Sequence, residues 1–173
     1  MQHFHVKFFA RPTPPDFDLA HAIPVFHRWI QQNALPETLI DVADYQHVPA
    51  GPGILLVSHD AYYGLDESKH RLGLLYTRRT AMEGSTADRI RHAIDSAWRA
   101  CDMLEREPEF AGKLTFDRAN FEVSVNDRLM APNNESGYRQ LEPELRSALA
   151  PGKCRLTAIG EPRELLTVTV ATV

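Results

Sequence analysis

The residues best suited to chemistry gather around His59. Ser58-His59-Asp60 closes one predicted strand, Asp41 lies on the strand before it, and Tyr62 and Tyr63 stand just beyond. A carboxylate beside an imidazole raises the imidazole's pKa and fixes its tautomer, as a general base or a metal ligand requires. If segments 38–45 and 54–60 form a simple hairpin, Ile40 faces His59 and Asp41 faces Ser58, which brings Asp41, His59 and Asp60 to one end of a sheet. These three are the candidate catalytic residues, with His59 as the base and Asp41 or Asp60 orienting it. A metal-assisted version adds His47. The competing reading is a histidine hydrogen-bonded at a strand end, with acids starting the turn. Ser58-His59-Asp60 is not a nucleophile triad, because neighbouring strand residues point to opposite faces.

Candidate ligand-binding residues lie around this centre and at two other places. Tyr62 belongs to the His59 cluster. Asn126, Asp127, Arg128, Asn133 and Asn134 form a second polar group that can hold a polar ligand by directional hydrogen bonds, or can simply turn the chain and cap a helix. Arg78 and Arg79, ahead of a helix starting at Ser85, suit a phosphate or carboxylate. His3 and His5 share a strand face, but no third ligand accompanies them, so no metal is assigned, and the sequence specifies no cofactor. The loop Pro49-Ala-Gly-Pro-Gly53 lacks the Lys-Ser/Thr of a phosphate-binding loop.

The chain has 173 residues, within the range of one domain, and 43% are hydrophobic and 24% charged, which is globular composition. Its formal charge is −4, from 19 basic against 23 acidic residues, so neither nucleic acid nor an anionic membrane surface is expected as a partner. Lys69-His70-Arg71 followed by Arg78-Arg79 is the one basic exception. The two cysteines, Cys101 and Cys154, read as small buried hydrophobes, with no C-x-x-C spacing. The N-terminal residues lack the pattern of a secretory signal, and the expected location is cytoplasmic.

The elements that must position these groups read as β-α-β-β-β-α-β-β-α-β-β. Phe4, Val6 and Phe8 alternate with polar residues as in a half-buried strand. Leu19, Ile23, Phe26 and Ile30 recur at helical spacing. Strands follow at about 38–45, 54–60 and 71–79. Ser85 and Asp88 have capping-box spacing ahead of a stripe of Ile90, Ile94, Ala97, Trp98, Cys101 and Leu104. A hairpin over 114–125 is expected to turn through Asp117-Arg-Ala-Asn120. Tyr138, Leu141, Leu145 and Leu149 mark a third helix, and a last hairpin joins 154–159 to 165–173 across Gly160-Glu-Pro-Arg163. Hairpins interrupted by helices predict an α+β fold, a mostly antiparallel sheet of about eight strands with three helices on one side.

Residues 56–66 and 123–133 can be aligned at an offset of 67, Asp60 with Asp127 and His59 with Asn126, although one position in eleven is identical. A pseudo-repeat with halves of about 1–80 and 81–173 would make a duplicated ferredoxin-like sandwich; chance similarity of two strand ends is the alternative. No motif specifies an activity. The expectation is a single domain that binds a small polar or anionic ligand or assembles with itself as a homo-oligomer. The alternative is a small hydrolase, lyase or isomerase built on His59.

Overall fold

A computed structural model describes residues 1–14, 17–49, 51–149, 154–160 and 163–172. Its strands are β1 (Phe4–Ala10), β2 (Leu39–Asp44), β3 (Ile54–Ser58), β4 (Ala61–Asp66), β5 (Gly73–Arg78), β6 (Phe116–Val125), β7 (Cys154–Ile159) and β8 (Leu166–Thr172). The helices are α1 (Ala22–Gln32), α2 (Thr86–Arg106) and α3 (Glu135–Ala148). All eight strands join one antiparallel sheet in the order β2-β3-β4-β5-β1-β6-β8-β7. The fold is therefore α+β, as the hairpin-rich pattern predicted.

The alternation of each strand sets the two faces. Phe4, Val6 and Phe8 of β1, Val123 of β6 and Val168 of β8 enter one core with Phe26 and Trp29 of α1, Ile90 and Leu104 of α2, and Leu141 and Leu145 of α3. Ser85 accepts a hydrogen bond from the Asp88 N–H while Asp88 accepts from the Ser85 N–H, so the predicted capping box starts α2. Asn33, in the left-handed region at φ 47°, ends α1. No helix among the described residues is long and apolar enough to cross a membrane.

Two predicted hairpins are placed differently. Residues 54–60 are not one strand: the chain turns at His59-Asp60 and returns as β4, an element absent from the sequence reading. The β2–β3 register is also shifted from the expected one, with Leu39 opposite Ser58, Asp41 opposite Val57 and an irregularity between. Conversely, 114–125 is no hairpin. β6 runs unbroken from Phe116 to Val125 between β1 and β8, with a bulge against Phe8–Ala10. Asp117 meets the Ala119 N–H at 2.9 Å and the Asn120 amide at 2.8 Å, so its turn-forming tendency is satisfied beside the strand.

The element order does not reproduce a duplication. Four strands follow α1 before the next helix, whereas one follows α2. The aligned stretches do share one end of the sheet, because β3 and β6 run in the same direction with β4, β5 and β1 between them. Three strand spacings, about 15 Å, separate the β3–β4 turn from the end of β6.

Candidate functional site

The sheet face away from the helices carries His5, Lys7 and Phe9 of β1, and the antiparallel register fixes their neighbours. His5 pairs with Thr77 and Ser124, Lys7 with Leu75 and Glu122, and Phe9 with Gly73. Asp66, at the end of β4, shares this face and is 3% exposed, while Lys7 is 7% exposed. Lys7 Nζ meets Asp66 Oδ2 at 2.8 Å and the Ser68 hydroxyl at 3.2 Å. Asp66 also accepts the Ser68 N–H and O–H, each at 2.7 Å. A carboxylate this buried keeps its charge at low cost only when its lone pairs are filled, as they are here. Gly73 makes room for the lysine stem, since a Cβ there would stand 2.8 Å from Lys7 Cε.

The β4–β5 connection folds over this pair. Lys69 and His70 are consecutive residues in the left-handed region, both at φ 56°, an arrangement non-glycine residues adopt at a conformational cost. It delivers Arg71 flat onto Phe9, with the guanidinium carbon 3.4 Å from the ring centroid and a terminal nitrogen 3.7 Å from Glu122. Lys69 Nζ reaches Glu164 at 3.0 Å.

Two adjoining cavities result, sharing Phe9, Lys69 and Arg71. The larger, about 800 Å³, opens at the sheet end where β1 and β4 finish. Its lining includes the basic side chains of Arg11, Lys69, His70 and Arg71. Pro12, Leu19, Tyr45, Val48 and Leu72 supply apolar surface, and Glu67 is the single acid among the cavity's described lining residues. The smaller, about 200 Å³, runs along the open face over Lys7 and Asp66 to His5, Ser124 and Thr167. Burial, and then repulsion from His3, lower the His5 pKa to about 4, and His5 Nε2 is buried without a hydrogen-bond partner.

The residues expected from sequence lie elsewhere. His59 sits in the β3–β4 turn with its side chain 71% exposed, its Nδ1 3.2 Å from Asp60 Oδ1. Asp60 accepts the Thr80 hydroxyl at 2.8 Å, and this bond, with His59 and Arg78 adding to it, holds its carboxyl below the usual range. The Asp60 carbonyl accepts the Arg79 and Thr80 N–H groups, so this residue stitches β4 to β5. Asp41 bonds the Val42 N–H beside its own strand. Arg79 lies over the Tyr62 ring at 4.8 Å, and Arg78 donates to the Thr80 carbonyl. Asp127 accepts the Met130 N–H and Asn134 caps α3, so part of the second polar group turns and caps the chain. The Asn126 N–H bonds the His3 carbonyl, and the Asn133 amide lies beside Gly160. His47 stacks near Tyr45.

None of the nine positions expected from sequence, His59, Asp41, Asp60, Tyr62, Arg78, Arg79, Asn126, Asp127 and Asn133, lines either cavity. Nor do the described residues include a group of three or more His, Cys, Asp or Glu side chains placed to hold a metal ion. Sequence reasoning missed Lys7, Asp66 and Ser68. Lys7 looks like the solvent side of a strand, and its partner is 59 residues away. The signal that was present is Lys69-His70-Arg71, a basic run in an acidic chain. Comparison with known proteins finds no matching family model, no matching curated protein and no matching solved structure.

Proposed function

We propose that the chain is a non-catalytic binding module for a small organic anion with an apolar body, held in the larger cavity. The observation that carries this reading is the lining itself, which joins basic Arg11, Lys69, His70 and Arg71 to apolar Tyr45, Val48 and Leu72. A concave pocket of this size with a few convergent polar groups is the usual form of a small-molecule site. Arg71, pre-set on Phe9, presents its remaining N–H donors to a carboxylate or phosphate in a fixed plane.

The enzyme alternative draws less support. An imidazole that is mostly solvated in a two-residue turn, beside a carboxylate already bonded to Thr80, lines neither of the two cavities.

Saturation-transfer NMR with matched aryl and alkyl carboxylates, phosphates and amines tests the proposal. Anions are expected to bind and amines of the same body not to, and Arg71→Ala is expected to weaken binding about tenfold, worth about 1.4 kcal/mol. Equal binding of anions and amines, or anion binding that Arg71→Ala leaves unchanged, would overturn it. Self-association is a companion proposal, resting on the open edges of β2, where Ile40 is 55% exposed, and β7. Native mass spectrometry decides it, a monomer at micromolar protein concentration counting against it.

A further inference from the structure

Arg71 and Phe9 border both cavities, whereas Glu122 and Ser124 border the smaller one alone. Glu122 and Ser124 lie two residues apart on β6 and so share one face of the strand. Asp66 and Glu122 are the acids among the described lining residues of the smaller cavity, and they differ in how far their charge is met. Asp66 is filled by Lys7 and Ser68. Glu122 has Arg71 as its ionic partner at 3.7 Å, a separation too long for a hydrogen bond, and its side chain is 21% exposed. Lys7, directly across the β1–β6 pair from Glu122, is turned to Asp66, and Lys69 is turned to Glu164. The Thr167 hydroxyl donates to the Leu165 carbonyl at 3.1 Å. The Ser124 hydroxyl, 2.8 Å from Thr167 Oγ1, therefore donates to Thr167 and keeps its own oxygen as an acceptor. The smaller cavity thus sets two acceptors, one of them charged, beside the guanidinium that it shares with the larger.

A lone carboxylate bound to Arg71 would bring a like charge close to Glu122. A cationic donor next to that carboxylate removes the repulsion and gives Glu122 a charge-assisted hydrogen bond. We propose that the ligand is an α-amino acid with an apolar side chain. Its carboxylate meets Arg71, its ammonium meets Glu122 and Ser124, and its side chain lies in the larger cavity among Leu19, Tyr45, Val48 and Leu72. This names the ligand class of the anion site proposed above and rests on that reading. A simple amine lacks the group for Arg71, and a simple carboxylate lacks the group for Glu122, so the two cavities together select the zwitterion.

The test is saturation-transfer NMR titration with phenylalanine, 3-phenyllactate and 3-phenylpropanoate, which share one body and differ at the α-carbon, and with leucine against 4-methylpentanoate. In at least one series the amino acid is expected to bind about tenfold tighter than the unsubstituted carboxylate, with the hydroxy acid between. Glu122→Gln is expected to abolish that preference while the unsubstituted carboxylate binds as well as before or better. Ser124→Ala, which keeps the carboxylate, is expected to shrink the preference to about threefold, and serves if the Gln variant does not fold. Unsubstituted carboxylates that bind as tightly as their amino acids would overturn the amino-acid assignment and leave the anion site standing. A preference for the amino acid that survives both substitutions would overturn it equally, by placing the ammonium elsewhere. Failure of every probe to bind would overturn both readings.

Discussion

Lys7 and Asp66 form an ion pair at 2.8 Å with side chains 8% and 4% exposed, on the sheet face that carries no helix. Removing one member leaves the other charge buried and unpaired. Asp66→Asn is therefore expected to lower the unfolding free energy by about 3–5 kcal/mol, and the paired change Lys7→Met with Asp66→Leu to recover most of it. Urea unfolding of the three proteins measures this, and equal losses in the single and double variants would show that the pair is not the source.

His5 makes stability depend on pH. Its folded pKa of about 4 lies below the unfolded value of 6.5, so below pH 6.5 the unfolded chain takes up a proton that the folded chain refuses. Stability is full above pH 6.5, falls by about 3 kcal/mol as pH drops toward 4, and levels off below. His92 is shifted in the same direction, chiefly by burial, and adds to the slope. Denaturation at a series of pH values should show the fall, and His5→Gln should flatten much of it.

His59 and Asp60 separate cleanly by substitution. His59→Gln, at an exposed turn, is expected to change stability by less than about 0.5 kcal/mol and to leave anion binding unaltered. Asp60→Ala loses the bond to Thr80 and is expected to cost about 1–2 kcal/mol. A large loss of binding on His59→Gln would return attention to the enzyme alternative.

Gly53 closes the strand connection behind the larger cavity at φ +68°, and an added Cβ would stand 1.9 Å from the Leu65 carbonyl oxygen. Gly53→Ala is expected to destabilise by about 2–4 kcal/mol, since the left-handed strain and the clash act together. A thermal midpoint within a degree of the unaltered protein would show that the backbone yields there.

The strongly periodic elements were legible in the sequence. β1, β8 and α2 each expose one face to the core, so period alone reveals them, and Ser85 with Asp88 locates the start of α2. The β3–β4 hairpin was hidden because its turn, His59-Asp60, carries neither glycine nor asparagine. β4 itself has glycine at position 64 and a buried aspartate at 66, which spoil its alternation. At 117–120 the opposite held: the turn-forming residues make the bulge against β1, where the register jumps from Phe121 to Phe116, and the strand continues through them instead of reversing. The candidate site was the least legible part. The basic run at 69–71 stood out, but Phe9 and Lys7 join it only through a register of strands distant in sequence.

The position of β1 has a consequence for how the chain is made. It pairs with β5 on one edge and β6 on the other, so the earliest of the described strands is the one that joins the two halves of the sheet. A nascent chain must keep Phe4 to Phe9 without its second partner until β6 has emerged, an interval in which an apolar strand is prone to aggregate. His5 and Lys7 interrupt that strand with polar groups. The lysine that ends in a buried ion pair thus serves first as a gatekeeper against self-pairing of the unfinished chain.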